Sequence, residues 1–245
     1  MEWRDFAVVL SARPFGETGA IVEVLTAENG RCAGLVHGGA SRRMKPLLQQ
    51  GNRVQATWRA RTADQLGSMA LEGDELRAAR LMDDAAAIDA ASAACALASM
   101  VLPEREPHAA VYEGLEAFLT GLETTELWPA LLVKWEAGLL SDLGYGMDFS
   151  RCALTGSTDR LTHVSPRSGR AVDGLSEEAE PYRDKLLALP PFLLGRQAAL
   201  AEGDVAAGFA LTGYFLERRI LWPADRQLPD ARARLIARLE KAGRL

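Results

Sequence analysis

The sequence predicts an α+β chain of two domains, a small five-stranded barrel over residues 1–80 followed by an all-helical domain over 81–245. Three observations predict it. Up to about residue 73 the apolar pattern is short and strand-like, and beyond about residue 80 its period becomes helical. A length of 245 residues, with 48% hydrophobic and 25% charged side chains, is that of a globular chain with ample core-forming residues.

The five predicted strands cover residues 6–13, 20–26, 31–37, 53–61 and 66–72, separated by turn-forming residues. Pro14, Gly16 and Gly19 punctuate the first connection, and Glu28-Asn29-Gly30 supplies the residue types a tight hairpin needs for positive φ. The third connection, Gly38-Gly39-Ala40-Ser41-Arg42-Arg43-Met44-Lys45, is glycine-rich and basic, as suits a flexible loop whose cations reach solvent. In the fourth strand Val54, Ala56, Trp58 and Ala60 alternate with Arg53, Gln55, Thr57, Arg59 and Arg61. Successive strand residues point to opposite faces, so this pattern predicts an apolar face that places Trp58 in the core and a second face bearing three arginines.

Helices are predicted over 84–102, 107–121, 129–143, 177–189, 204–221 and 230–242. The third carries a stripe of Leu131, Leu132, Trp135, Leu139 and Leu143 next to Trp128, with Pro129 in its first turn and Gly144 as its stop. Asp204 and Asp230 open the last two, where a carboxylate can cap free amide groups. Residues 144–174, punctuated by Gly146, Gly156, Pro166 and Gly169, read as an ordered loop or short hairpin among the helices. The alanine-rich run 85–102 is interrupted by Asp89, Ser92 and Ser99 and is too weakly apolar to span a membrane. Met1-Glu2-Trp3-Arg4-Asp5 has no secretory pattern, and Cys32, Cys95 and Cys152 have no pairing logic, so a reducing cytoplasmic location is expected.

Charge is distributed unevenly. Residues 31–61 hold Arg31, Arg42, Arg43, Lys45, Arg53, Arg59 and Arg61 and no carboxylate, so this stretch is +7 and the rest of the −5 chain carries −12. Such a confined basic region attracts polyanions through its local field, whatever the net charge. Arginine can also present two parallel hydrogen bonds to one phosphate. These seven residues are therefore the expected nucleic-acid contacts, with bound DNA drawing the protein to the nucleoid.

Catalytic chemistry is not indicated. No Walker-type Gly-Lys-Ser/Thr occurs, and Gly38-Gly39 and Gly144-x-Gly146 lack the dinucleotide fingerprint. Ser165, His163 and Asp159 contain the residue types of a triad without a nucleophile elbow, and Asp142, Asp148 and Asp159 read as turn and cap residues in preference to a metal cluster. A non-enzymatic binding protein without a cofactor is expected.

Several segments resemble the RecO family of bacterial DNA recombination and repair mediators. They are Trp3-Arg4-Asp5, Gly16-Glu17-Thr18, residues 38–43, Leu143-Gly144-Tyr145-Gly146, Ser150-Arg151-Cys152-Ala153 and residues 164–172, and the resemblance runs from about residue 2 to 222. It implies an N-terminal OB-fold barrel and a helical domain with a zinc-finger-like insertion, here 144–176. It also implies binding of single- and double-stranded DNA, annealing of complementary strands, and help in loading RecA onto strands coated by single-strand binding protein. The implied partners are RecR, the acidic C-terminal tail of single-strand binding protein and, in some bacteria, RecF, with RecA engaged indirectly and no membrane. Zinc-binding relatives have two Cys-x-x-Cys pairs in the insertion; the corresponding positions here are Cys152, Thr155, Asp173 and Ser176, a set that lacks the sulfur ligands structural zinc prefers. No zinc is expected, and Leu154, Leu161 and Val164 are expected to hold the insertion against the helices. Arg218, Arg219, Arg232 and Arg234 are possible rim residues of a groove for the acidic tail, a role that an exposed helix face explains equally well.

Three other readings use the same residues: an RNA-binding OB-fold protein, a scaffold whose basic face receives an acidic peptide, and an enzyme built on the 144–174 loop. Competition between RNA and DNA, a gel shift, and incubation of DNA with magnesium distinguish them.

Overall fold

The computed structural model describes residues 1–62, 65–195 and 199–245. These form two compact units, Met1–Glu126 with Pro229–Arg238, and Leu127–Leu228 with Leu239–Leu245. The first unit thus takes in helices beyond residue 80, where the sequence pattern placed a boundary.

In the first unit β1 (Glu2–Phe15), β2 (Gly19–Thr26), β3 (Gly30–Val36), β4 (Arg53–Arg59) and β5 (Ser68–Glu75) close into a barrel in the order β1-β2-β3-β5-β4. β1 is long enough to pair with β4 through its first half and with β2 through its second, and its register slips once between Val9 and Ser11. All neighbours are antiparallel except β3 and β5, which meet in parallel at Leu35 and Ser68. Gly30 ends the β2–β3 hairpin at φ +64°, and a Cβ there would fall 2.0 Å from the Glu106 carbonyl oxygen, so no other residue fits. Alternation fills the interior: Val54, Ala56 and Trp58 of β4 meet Val22, Val24, Cys32, Val36, Met69 and Leu71.

The short α1 (Arg77–Arg80) leads to α2 (Ala85–Val101), whose first amides are capped by Asp84, and to α3 (Ala109–Thr124). α2 packs on β1 and α3 on β2. Arg77, only 1% exposed, forms a bidentate pair with Glu116 of α3 at 3.0 and 2.8 Å and reaches the Gly51 carbonyl. Within the same unit, Arg234 and Arg238 from α6 (Asp230–Lys241) converge on Asp89 of α2, and Arg232 is buried. Arg232 is thus buried, whereas Arg234 is paired with Asp89 but keeps an exposed side chain.

In the second unit α4 (Trp128–Leu140) buries Leu132, Trp135 and Leu139 as its stripe predicts. Its last turn, Ser141–Tyr145, widens to π spacing and stops at Gly144, which takes φ +83°. α5 (Asp204–Leu216) packs on α4 and likewise ends in a π turn, Glu217–Leu221. Asp204 does not cap α5 with its carboxylate, which instead accepts from the Ala201 amide. Between α4 and α5 lies a small sheet in the order β7 (Ala171–Val172), β6 (His163–Val164), β8 (Leu187–Ala188), whose last strand falls beyond residues 144–176. Residues 177–189 do not form the expected helix: Pro181 lacks the amide an α-helix needs, so Glu177–Lys185 is a 3-10 turn and Leu187–Ala188 joins β6 as a strand. Leu161 and Val164 are buried as expected, but Leu154 is exposed.

Candidate nucleic-acid interface

The seven cations of residues 31–61 differ in their partners. Arg31, with a side chain 14% exposed, donates to the Leu102 carbonyl and pairs with Glu23 at 2.9 Å and Glu104 at 3.7 Å. Arg53 lies among Asp74, Glu75 and Glu116 at 3.3, 3.7 and 3.9 Å, with its guanidinium over the Phe6 ring. Arg59 is exposed but pairs with Glu2 at 2.8 Å, a hydrogen bond that holds the Glu2 carboxyl below its usual range. Of the basic face expected of β4, Arg53 and Arg59 are thus neutralised by acids from β1, β5 and α3. Arg4 of β1 continues this charge ladder, donating to Gln55 and Glu72.

Arg42, Arg43 and Lys45 remain, all exposed, and among the described residues none has a carboxylate partner. Their loop is a run of hydrogen-bonded turns. Gly39 starts it against β2, where a Cβ would sit 2.6 Å from the Ala20 Cβ, and the Ala40 amide donates to the Thr18 carbonyl. The Ser41 carbonyl accepts from the Met44 and Lys45 amides, and Met44 and Leu48 pack into the barrel. Asn52, 0% exposed, fixes the far end: its Nδ2 donates to the Pro46 and Leu47 carbonyls and its Oδ1 accepts from the Ala78 amide. Apolar anchors on one side of the loop thereby hold three cations out on the other. Arg61 is also exposed, just beyond the end of β4.

A groove of about 1000 Å³ adjoins this loop, with Arg13 and Lys45 at its rim and Leu48, Leu81, Met82 and Ile88 among its apolar lining. Arg13 was not among the sequence-predicted residues because it precedes the acid-free stretch. The signal for it is the β1–β2 turn, which the Ala40–Thr18 hydrogen bond joins to the basic loop.

Trp58 is a core residue, not a base-stacking platform. Its Nε1 donates to the Ala33 and Leu66 carbonyls at 3.1 and 3.0 Å, and its ring stacks with Trp3 at 6.2 Å.

The candidate catalytic and metal sets do not assemble. The His163 ring nitrogen meets the Thr162 hydroxyl while Ser165 Oγ accepts from the Ser168 amide, so these two side chains are turned to local partners and not to each other. Among the described residues no group of three or more His, Cys, Asp or Glu side chains could hold a metal ion. The insertion's donor set does not suit zinc: Cys152 is its one thiol, and Asp173 pairs with Arg160 and accepts from the Leu175 amide. Burial pushes the Cys152 thiol up, but hydrogen bonds from Thr155, Asp173 and Leu154 outweigh it and hold the thiol below its ordinary range. Among the described residues no helix is long and apolar enough to cross a membrane.

Comparison with known proteins finds two family models that match consecutive parts of the chain. Residues 1–71 match the family model "Recombination protein O N terminal" and residues 82–228 match "Recombination protein O C terminal". A protein of Phenylobacterium zucineum named DNA repair protein RecO is 56% identical over 245 residues, covering 100% of both chains. Proteins of the same name from a Caulobacter species and from Rhodospirillum centenum are each 52% identical, the first over 100% of both chains and the second over 99% of this chain and 96% of its own.

Proposed function

The chain belongs to the RecO family of DNA repair and recombination proteins, and on that premise we propose that it is a non-enzymatic, cytoplasmic recombination mediator. In this reading residues 1–80 are an OB-fold domain that holds single- and double-stranded DNA through phosphate contacts. Arg42, Arg43 and Lys45 make the primary contacts, and Arg13 and Arg61 extend them. The protein anneals complementary strands and, with RecR, helps RecA replace single-strand binding protein; RecF is a further partner.

The observation that carries this reading is the difference between the two classes of cation in one small barrel. Arg31, Arg53 and Arg59 are already neutralised by carboxylates, so binding a phosphate would mean breaking an existing pair. Arg42, Arg43 and Lys45 need give up only water and small counterions, whose release drives binding. Contacts to the phosphates leave base edges free, so a strand held this way can still pair with its complement.

The groove beside the loop suits a short peptide with apolar and carboxylate groups, because Arg13 and Lys45 stand at the edge of an apolar lining. We assign it to the tail of single-strand binding protein, in place of a rim at Arg232 and Arg234. Fluorescence anisotropy of a labelled single strand, competed with duplex DNA and with RNA in magnesium buffer, tests the reading. Binding of both DNA forms without cleavage is expected, whereas stronger competition by RNA, or any cutting, contradicts it.

A further inference from the structure

Two motifs in the second unit have no role in the barrel site: Leu143-Gly144-Tyr145-Gly146 and the turn of residues 165–170. The fold brings them together with the end of α5. A Cβ on Gly169 would lie 3.8 Å from the Phe215 ring and 3.9 Å from the Gly146 carbonyl oxygen, and the Asp148 amide donates to the Gly169 carbonyl. Arg219 donates to the Arg167 carbonyl at 3.2 Å and lies 5.5 Å over the Phe215 ring. One turn further on, Arg218 lies 5.6 Å over the ring of Trp222. Both helices that frame this place end in π turns, local irregularities that are frequent at functional sites.

The chemistry of this cluster is that of a single-strand platform. Trp222 is 53% exposed and Tyr145 39%, while Trp58, Trp128 and Trp135 are buried and Trp3 is half-buried. Large aromatic faces left in water beside unneutralised guanidinium groups gain from a partner that is flat and anionic. Arg170 is paired with Asp148, but among the described residues Arg167, Arg218 and Arg219 have no carboxylate partner, although Glu217 and Asp225 lie on the same segment. An acidic peptide could use the charges but has no bases to stack on Trp222.

We infer that the π-turn ends of α4 and α5, with the 165–170 turn, form a second nucleic-acid site in which Trp222 and Tyr145 stack on bases and Arg167, Arg218 and Arg219 hold phosphates. This rests on the DNA-binding reading above and deepens it: with a site in each compact unit, one molecule holds two strands.

The test is quenching of intrinsic tryptophan fluorescence in the full chain by oligothymidylate. Titration should quench the red-edge emission of solvent-exposed tryptophan, and Trp222→Phe should abolish that component. The double change Arg167→Ala, Arg218→Ala should shift its midpoint on the order of tenfold. The change Arg42→Ala, Arg43→Ala, Lys45→Ala should leave the Trp222 component in place. Absence of red-edge quenching in the unaltered protein, or quenching that survives Trp222→Phe, overturns the site. So does quenching by an acidic peptide such as polyglutamate but not by oligothymidylate. If the loop variant binds DNA like the unaltered protein while the Trp222 component persists, the barrel reading fails and this one stands.

Discussion

Replacing Arg42, Arg43 and Lys45 by alanine removes three exposed cations from a loop whose fold does not depend on them, since Met44, Leu48 and Asn52 hold it. Each phosphate left without its cation should lower the salt slope of single-strand binding by about 0.7. Three such phosphates therefore change the slope by roughly 2, which at about 0.1 M salt corresponds to an affinity weaker by on the order of a hundredfold. Titrating a labelled single strand by anisotropy at several salt concentrations measures this directly. The matched control is Arg53→Gln. Its guanidinium is held by Asp74, Glu75 and Glu116, so the change should leave the slope in place and instead lower folding stability by about 1 kcal/mol or more. A loop variant with an unchanged slope, or an Arg53 variant that flattens it equally, refutes the division of the cations into free and neutralised classes.

Three other outcomes follow from the same structure. Arg77→Ala leaves Glu116 without its bidentate partner in a buried setting and should cost about 3–5 kcal/mol, seen as a lower urea midpoint with unchanged m. His163 is held below its ordinary pKa first by burial and then by the charge of Arg183, with Asp173 opposing. The unfolded chain takes up this proton at about pH 6.5, so the contribution is present above that value and is lost as pH falls through the folded pKa. His163→Gln should therefore flatten the decline in urea midpoint below about pH 6.5, and an unchanged decline would remove His163 as its source. Purified protein should contain far less than one equivalent of zinc by elemental analysis, and chelator should not shift its melting temperature; a stoichiometric metal would contradict the reading of the insertion.

Much of the architecture was legible because it depends on local pattern. The alternation in residues 53–59 gave a strand with Trp58 inward, and Pro129 and Gly144 bracketed α4. Register across strands was not legible, and that is where the site reading changed. The stretch 31–61 contains no acid, yet Glu2 arrives from β1, Glu23 from β2, Asp74 and Glu75 from β5, Glu104 from the turn before α3 and Glu116 from α3, all outside it. A count along the chain cannot detect neutralisation that comes from pairing between distant segments. The loop escapes this because it leaves the sheet and has no cross-strand neighbour. The π turns that end α4 and α5 were hidden for a related reason: the apolar period continues into them, and only backbone geometry separates them from an ordinary last turn.

The most direct measurement is the rate at which complementary strands anneal, bare and coated with single-strand binding protein, in the presence of the unaltered protein or the loop variant. Acceleration of both substrates by the unaltered protein, largely abolished when Arg42, Arg43 and Lys45 are alanine, is the expected result. Equal acceleration by both proteins would show that the exposed loop is not where the strand is held.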